Sequence, residues 1–281
     1  MLPPLPDIVI EPIVRLALAE DLGRAGDVTS DALIPSAQRA KYTLVARARG
    51  IVAGLDAAQL AARLVDRDLV LRVKAGDGAL VEAGATIAEI EGFARAILTA
   101  ERTMLNFVGQ LSGVATLTRL YVDAVAGTKA QIVCTRKTTP GLRALEKRAV
   151  RLGGGGPHRY GLDDAILIKD NHVAAAGSVS EAMKRAKAAA GHLTAIEVEV
   201  DGLAQLEEAM RHAPNVILLD NFSVEDLARA VALVGGRIPL EASGGVRLDT
   251  VRAIAETGVD YISVGALTHS APALDVALDA V

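Results

Sequence analysis

Between Cys134 and His172 the chain gathers eight basic side chains, Arg136, Lys137, Arg143, Lys147, Arg148, Arg151, Arg159 and Lys169. Four acids share the stretch, Glu146, Asp163, Asp164 and Asp170, so it carries a local excess of positive charge in a protein of formal net charge −4. A compact cationic segment in an acidic chain suits a small, highly anionic ligand better than a long polyanion, and the overall charge argues against nucleic acid. Arg143, Lys147, Arg148 and Arg151 read equally well as a solvated helix face. Further on, Glu199 and Asp220 fall at two neighbouring strand ends, where acids can also serve as helix caps or ion-pair partners. Glu197 is set aside as facing the opposite side of its strand. Ser243-Gly244-Gly245 and Gly265-Ala266 read as turns that precede helices, whose backbone N–H groups can cradle phosphate. The run Gly153–Gly156 reads as a flexible loop that lets His158 and Arg159 reach a pocket. The single cysteine, Cys134, has no adjacent base and reads as a buried strand residue, not a nucleophile.

Elements must bring these side chains together. Residues 8–22 have helical apolar spacing, with Gly23 as C-cap. Residues 42–48 alternate like a strand, 56–65 form a short Ala-rich helix, and 69–73 and 85–90 are strand-like. Phe93 opens a long helix to about Ala126, expected to break near Gly113. After Gly127 strands and helices alternate, the mark of a parallel α/β sheet or barrel. The strands are expected at 131–135, 165–169, 194–200, 216–219, 238–241 and 261–264, with helices at 142–151, 179–190, 203–211, 224–234 and 248–256. Six strands predict an incomplete or irregular α/β barrel. In such barrels the chemistry sits at the C-terminal strand ends. Those ends carry Arg136 and Lys137, Lys169, Glu199, Asp220, Ser243 with Gly244 and Gly245, and Gly265.

Composition agrees. Apolar residues make up 51% of the 281 and aromatics 2%, with no Trp, so the core is built from Ala, Val, Leu and Ile, as parallel sheets covered by helices require. No run reaches the roughly 18 apolar residues of a membrane span. Residues 1–22 contain Asp7, Glu11, Glu20 and Asp21 and do not read as a signal peptide. One cysteine excludes an internal disulfide, and a cytoplasmic protein is the expectation.

Several segments taken in order carry a specific resemblance. They are Glu20-Asp-Leu-Gly23 with Gly26-Asp-Val-Thr-Ser30, Glu101-Arg102-Thr-Met-Leu-Asn106, Cys134-Thr-Arg-Lys-Thr-Thr-Pro-Gly-Leu-Arg143, and Pro157-His158-Arg159. Ile166-Leu-Ile-Lys169-Asp-Asn-His172, Glu197-Val-Glu199, Leu219-Asp220-Asn221, Ser243-Gly-Gly245 and Val264-Gly-Ala-Leu-Thr-His-Ser270 complete the set. Over nearly its whole length the chain resembles the quinolinate phosphoribosyltransferase family. The resemblance implies an N-terminal α/β sandwich domain (1–112) and a barrel domain (113–269), with the tail from about 270 packing back on the first. It implies transfer of phosphoribose to quinolinate with decarboxylation, giving nicotinate mononucleotide, CO₂ and pyrophosphate in NAD biosynthesis. By resemblance Arg102, Arg136, His158, Arg159 and Lys169 form the quinolinate pocket, and Lys137 is shared with the pyrophosphate. Lys137, Glu199 and Asp220 are catalytic, and the two acids also hold Mg²⁺ or ribose hydroxyls. Ser243, Gly244, Gly245 and Gly265 take the 5′-phosphate. A homodimer or higher assembly is implied, because the residue matching Arg102 comes from a neighbouring subunit. Pro157 and Tyr160 depart from the family pattern and put the geometry of the pocket loop in question.

Three rivals are weighed. A related family associated with molybdenum uptake shares the Thr-Arg-Lys and His-Arg segments but tends to lose the cation present here as Lys169. Residues 73–87 resemble a lipoyl or biotinyl carrier hairpin but place no lysine at its tip. A nicotinate-specific transferase would have less use for so many cations.

Overall fold

The structure, a computed structural model, describes residues 2–281. In chain order the elements are α1 (Asp7–Leu22), α2 (Val28–Leu33), β1 (Arg39–Ala46), β2 (Gly50–Ile51), α3 (Leu55–Val65), β3 (Val70–Val73), β4 (Leu80–Val81), β5 (Thr86–Phe93) and α4 (Ala94–Ala124). There follow β6 (Gln131–Val133), α5 (Arg143–Leu152), β7 (Ala165–Ile168), α6 (Asp170–Ala176), α7 (Val179–Ala189), β8 (Ala195–Val200), α8 (Leu203–Met210) and β9 (Val216–Asp220). The chain ends with α9 (Val224–Val234), β10 (Leu240–Ser243), α10 (Val251–Glu256), β11 (Tyr261–Ser263), α11 (Ala266–His269) and β12 (Val276–Ala280). No helix among the described residues is long and apolar enough to cross a membrane.

Two compact units emerge. Of the described residues, the first comprises 2–119, 138–154 and 267–281; the second comprises 120–137 and 155–266. In the first unit an antiparallel sheet runs β12-β1-β5-β3, so the C-terminal strand completes the sheet that the N-terminal segment begins. The buried faces of α1 (Ile10, Val14, Leu18) and α3 (Leu55, Leu60, Ala61) meet, the outcome of their helical apolar spacing. Gly23 ends α1 with φ 53°, and its N–H donates to the Ala19 carbonyl.

Helix α4 is continuous over 31 residues, so the break expected at Gly113 does not occur. Gly113 serves a close approach instead. A Cβ there would stand 2.1 Å from the Pro272 carbonyl oxygen, and the neighbouring turn at Gly109 accepts the Leu274 N–H at 2.9 Å. The C-terminal tail is thus held against bare helix backbone.

Helix α5 also departs from expectation. A solvated face is one of the two readings of its cations, yet Glu146, Lys147 and Arg148 are buried while Arg151 is exposed. Arg148 donates to Asp77 at 2.6 Å, lies 3.7 Å from Asp56 and donates to the Pro3 carbonyl at 3.2 Å. Burial pushes the Asp77 carboxyl up, and the Arg148 hydrogen bond pulls it back. These charges stitch the first unit together.

The second unit is a six-stranded parallel sheet in the order β6-β11-β10-β9-β8-β7 with helices after the strands, an open α/β barrel whose edges are β6 and β7. Ile196, Val198, Val200, Ile217, Leu219, Leu240, Ala242 and Ile262 form one buried face, with α7 packed on β7 and β8, α8 on β8 and α10 on β11. The alternate residues point into the barrel, because successive side chains of a strand face opposite ways.

Gly113→Ala tests the close approach. Helix propensity alone would make this change stabilising by about 1 kcal/mol. Contact with Pro272 predicts the reverse, a loss of about 3 kcal/mol or more, read as a fall in the denaturant midpoint. Gly109→Ala, whose Cβ would stand 3.0 Å from the Leu274 carbonyl, should lose less.

Candidate active site

The inward face of the second unit sets polar side chains among Leu167, Val216 and Leu218, where a structural barrel would stack aliphatic layers throughout. It carries Glu197 and Glu199 from β8, Asp220 from β9, Glu241 and Ser243 from β10, and Tyr261 and Ser263 from β11. Glu197 therefore shares its face with Glu199. Setting it aside as facing the opposite way was an error, since residues two apart in a strand point to the same side.

At the C-terminal ends, Lys169 follows β7 directly, and its Nζ lies 3.7 Å from the Glu199 carboxylate. The Lys169 N–H donates to His172 Nδ1 at 2.9 Å as α6 begins, a helix start the sequence reading left out. Burial pushes the Glu199 carboxyl up; the Lys169 charge pulls it down and the nearby Asp220 charge pushes it up again. Asp220 closes β9 and pairs in register with Ser243. Arg136 and Lys137 lie just beyond β6, and the Lys137 N–H donates to Thr135 Oγ1 at 2.9 Å.

His158 and Arg159 occupy the open side of the barrel. Gly156 makes a parallel bridge with Val133, donates to the Ile132 carbonyl at 2.7 Å and accepts from Cys134 at 3.2 Å. The glycine run is therefore anchored to β6 like a one-residue strand, rather than the flexible loop expected. A Cβ at Gly156 would meet Gln131 Nε2 at 2.7 Å. Buried Cys134 accepts the His158 N–H on its sulfur at 3.5 Å. On the far side, Arg159 donates to the Ala165 carbonyl of β7 at 3.3 Å. The loop thus links the two sheet edges. The Asp164 carboxylate accepts the amides of Tyr160 and Gly161, fixing the turn in which the unusual Tyr160 sits.

Two buried donors have no acceptor among the described residues, Arg136 Nε and Arg159 Nε. Burial lowers the Arg159 pKa, and the Arg136 charge lowers it further, while Glu197 and Asp164 oppose both. Two neighbouring guanidiniums with unmet buried N–H groups form a site for a planar anion, because an arginine fork matches a carboxylate.

The glycine turns differ in role. Gly244 (φ 94°) has Asn221 against it: a Cβ would meet Asn221 Oδ1 at 2.1 Å. Asn221 itself holds φ 55°, donates its N–H to the Ser243 carbonyl at 2.9 Å and its side-chain amide to Asp220 at 2.7 Å. Asn221 is thus a positioning residue for Asp220 and the β10 turn. Gly245 (φ 56°) faces open space. Seven residues separate Ser243 from α10, so this turn does not open a helix as expected. Gly265 does, standing immediately before α11.

Arg102 belongs to the first unit. It is an exposed α4 residue that lines a cavity of about 800 Å³ with Glu20, Asp21, Asn106, Thr139 and Asp275.

An open parallel α/β barrel with cations, acids and glycine turns at one end defines a class of protein, an enzyme that handles multiply charged small anions. Comparison with known proteins narrows it. The model of the quinolinate phosphoribosyl transferase C-terminal domain matches residues 114–279, and that of its N-terminal domain matches 27–112. A nicotinate-nucleotide pyrophosphorylase [carboxylating] of Mycobacterium leprae is 49% identical over 95% of both chains. A quinolinate phosphoribosyltransferase [decarboxylating] of Nicotiana tabacum is 41% identical over 97% of this chain and 83% of its own. The solved nicotinate-nucleotide pyrophosphorylase of Francisella tularensis superposes with a TM-score of 0.95 at 39% identity, covering 99% of this chain and 98% of that one. The chain belongs to the quinolinate phosphoribosyltransferase family.

Gly244→Ala should cost markedly more stability than Gly245→Ala. Both incur a left-handed backbone penalty of about 1–2 kcal/mol, but only the first drives a methyl into Asn221. Equal denaturation midpoints for the two variants would remove the proposed lock between the β9 and β10 turns.

Proposed function

We propose that the barrel mouth binds quinolinate and phosphoribosyl pyrophosphate, joins the pyridine nitrogen to ribose C1 with loss of pyrophosphate, and releases CO₂ to give nicotinate mononucleotide. The observation that carries this reading is the pair of buried, acceptor-free Nε–H groups on Arg136 and Arg159. A dicarboxylate supplies both acceptors. A second carboxylate gives Lys169 a partner as well, which a monocarboxylate on the arginine pair does not, so quinolinate is favoured over nicotinate. Lys169 adds a third cation, and His158 stands next to Arg159 at the edge of the same pocket. Arg102 is offered as the contribution of a second subunit in a homodimer or larger assembly; its exposure on α4 is compatible with that.

Lys137 is placed between the quinolinate carboxylates and the pyrophosphate leaving group, whose growing charge it would offset. The 5′-phosphate is assigned to Ser243, Gly244, Gly245 and Gly265, where glycine permits close backbone approach. Glu199 and Asp220 are the acids nearest the ribose in this arrangement. Breaking the bond from C1 to pyrophosphate gives the sugar oxocarbenium character, and a carboxylate beside it stabilises that charge. The same pair is a hard-oxygen donor set that fits Mg²⁺, since this ion takes one or two carboxylates and completes its shell with water and phosphate oxygens. When bound, Mg²⁺ would neutralise the pyrophosphate. In the second stage the bond between C2 and its carboxylate breaks, the electron pair stays on C2 beside the positive ring nitrogen, and a proton then replaces it.

Arg136→Ala and Lys169→Ala should each lower quinolinate turnover roughly 100-fold or more with the thermal midpoint kept. CO₂ release from carboxyl-labelled quinolinate and pyrophosphate release report it, with nicotinate as the competing substrate. Near-normal turnover in either variant would refute the pocket. Mixing Arg102→Ala with Lys169→Ala subunits should restore part of the activity, because a mixed dimer holds one intact composite site. No recovery after confirmed subunit exchange would rule out Arg102 acting across an interface.

A further inference from the structure

The segment Gly26-Asp27-Val28-Thr29-Ser30 lies in the first unit, and the chemistry of the barrel leaves it without a task. Polar contacts bolt it to helix α4. Asp27 caps α2: its Oδ1 accepts the Ser30 N–H at 3.0 Å and its Oδ2 accepts the Ser30 hydroxyl. The same Oδ2 accepts the Thr99 hydroxyl of α4 at 3.2 Å. One turn earlier on α4, Arg95 donates to the Ile34 carbonyl at 2.6 Å, to the Asp31 carboxylate at 2.7 Å and to the Asp31 carbonyl at 3.0 Å. Both ends of α2 are therefore fixed to one helix. We propose that Asp27 and Thr99 are positioning residues for Arg102, holding α2 as a wall that keeps the Arg102 side chain from lying back along α4 and so presents its guanidinium to quinolinate. The proposal rests on Arg102 being part of the quinolinate pocket.

Helix geometry puts the anchor where it can act on Arg102. At 3.6 residues per turn, Arg95, Thr99 and Arg102 fall within about 60° of one another on the surface of α4. Residues three and four apart on a helix are neighbours, and a helical side chain leans toward the helix N-terminus, over the turn before its own Cα. For Arg102 that is the turn of Thr99, and Thr99 carries Asp27. Arg102 itself is exposed and, with Asn106, lines the cavity of the first unit. A long exposed side chain loses rotamer freedom when it binds a ligand. A wall on one side removes part of that loss in advance.

Apolar packing does not hold α2 in place. The helix has six residues, too few to be stable by itself. Val28, Thr29, Asp31, Ala32 and Leu33 are exposed, and only Ser30, the partner of Asp27, is buried. The Ser30 hydroxyl and amide hold the Asp27 carboxyl below its usual range. A tether whose sole duty was to secure the N-terminal segment could be attached to any face of α4. This one uses the face that bears Arg102.

The test is Thr99→Val, which keeps the branched shape and the Asp27 cap and removes only the hydroxyl. Asp27→Asn is the second variant, and Thr99→Ser, which keeps the hydroxyl, is the rescue. Thr99→Val should raise the KM for quinolinate about tenfold, within the roughly 100-fold that a misplacement of 1 Å can cost. The KM for phosphoribosyl pyrophosphate and the thermal midpoint should stay at wild-type values, and Thr99→Ser should keep the wild-type KM for quinolinate. On an Arg102→Ala background Thr99→Val should add nothing, because its effect passes through Arg102. Mixed with excess Lys169→Ala subunits, Thr99→Val should show the wild-type KM, since a partner with an intact wall then serves its barrel. A wild-type KM in both Thr99→Val and Asp27→Asn would overturn the proposal. So would a full further rise on the Arg102→Ala background, a loss shared by both substrates, or a KM that stays raised in a mixture where Arg102→Ala is itself complemented. If Arg102→Ala and Lys169→Ala subunits do not complement, the interface reading fails instead, and the double variant still decides whether Thr99 acts through Arg102.

Discussion

Two like-charged guanidinium groups, each with a buried N–H that nothing in the described chain accepts, set the terms for the barrel. An isolated buried charge costs several kcal/mol, and a pair of the same sign costs more. Arg136 and Arg159 stay in place because the surroundings hold them by other means. Arg159 spans to the Ala165 carbonyl, Glu197 and Asp164 supply opposing charge, and the loop bearing it is tied to β6 through Gly156. What remains unmet is the Nε of each arginine. The folded chain thus keeps donors desolvated before any ligand arrives. An anion then recovers that desolvation when it binds, without first displacing a partner.

The open barrel makes this possible. A closed ring of eight strands fills its interior with side chains. Six strands leave β6 and β7 as edges, and the segment from Gly156 to Arg159 bridges them while satisfying only one residue of backbone pairing. Because that segment is not a strand, two successive side chains can both be used at the site, His158 toward the acids of β8 and β10 and Arg159 toward Ala165 and Arg136. A strand would have turned one of them out to the helices.

Much of this was legible in the sequence, for reasons that also explain the misses. The six strands stood out because their outward residues, such as Ile196, Val198 and Ile217, are apolar at alternate positions in short segments with helices spaced between. The cations and acids at strand ends followed from the general rule for parallel barrels. Gly113 misled because a glycine in a helix signals either a break or a close neighbour, and Pro272, more than 150 positions away, decides between them. Lys147 and Arg148 stay open in the sequence between a solvated face and a ligand site, and only the tertiary placement of Asp56 and Asp77 shows why Arg148 is inside. Glu197 could have been retained from the sequence, since strand alternation alone puts it with Glu199. Asn221 carried a weaker signal, an asparagine directly after a strand end, where a left-handed backbone is tolerated.

Four carboxylates face one interior, and depth separates their chemistry. Glu199 and Asp220 sit at the strand ends, with a lysine within reach of the first and an asparagine amide on the second. There they stand where stabilising a cationic sugar or a divalent ion would need them. Glu197 stands two residues below Glu199, and Glu241 two below Ser243, against an imidazole. Ionising every member of that lower layer would stack negative charge beneath a site meant for anions. The His158 Nε2 edge, turned toward both acids, offsets part of that charge. Moving a glutamate by two positions along a strand therefore changes its neighbour from a lysine at the strand end to an imidazole inside, with no change of residue type.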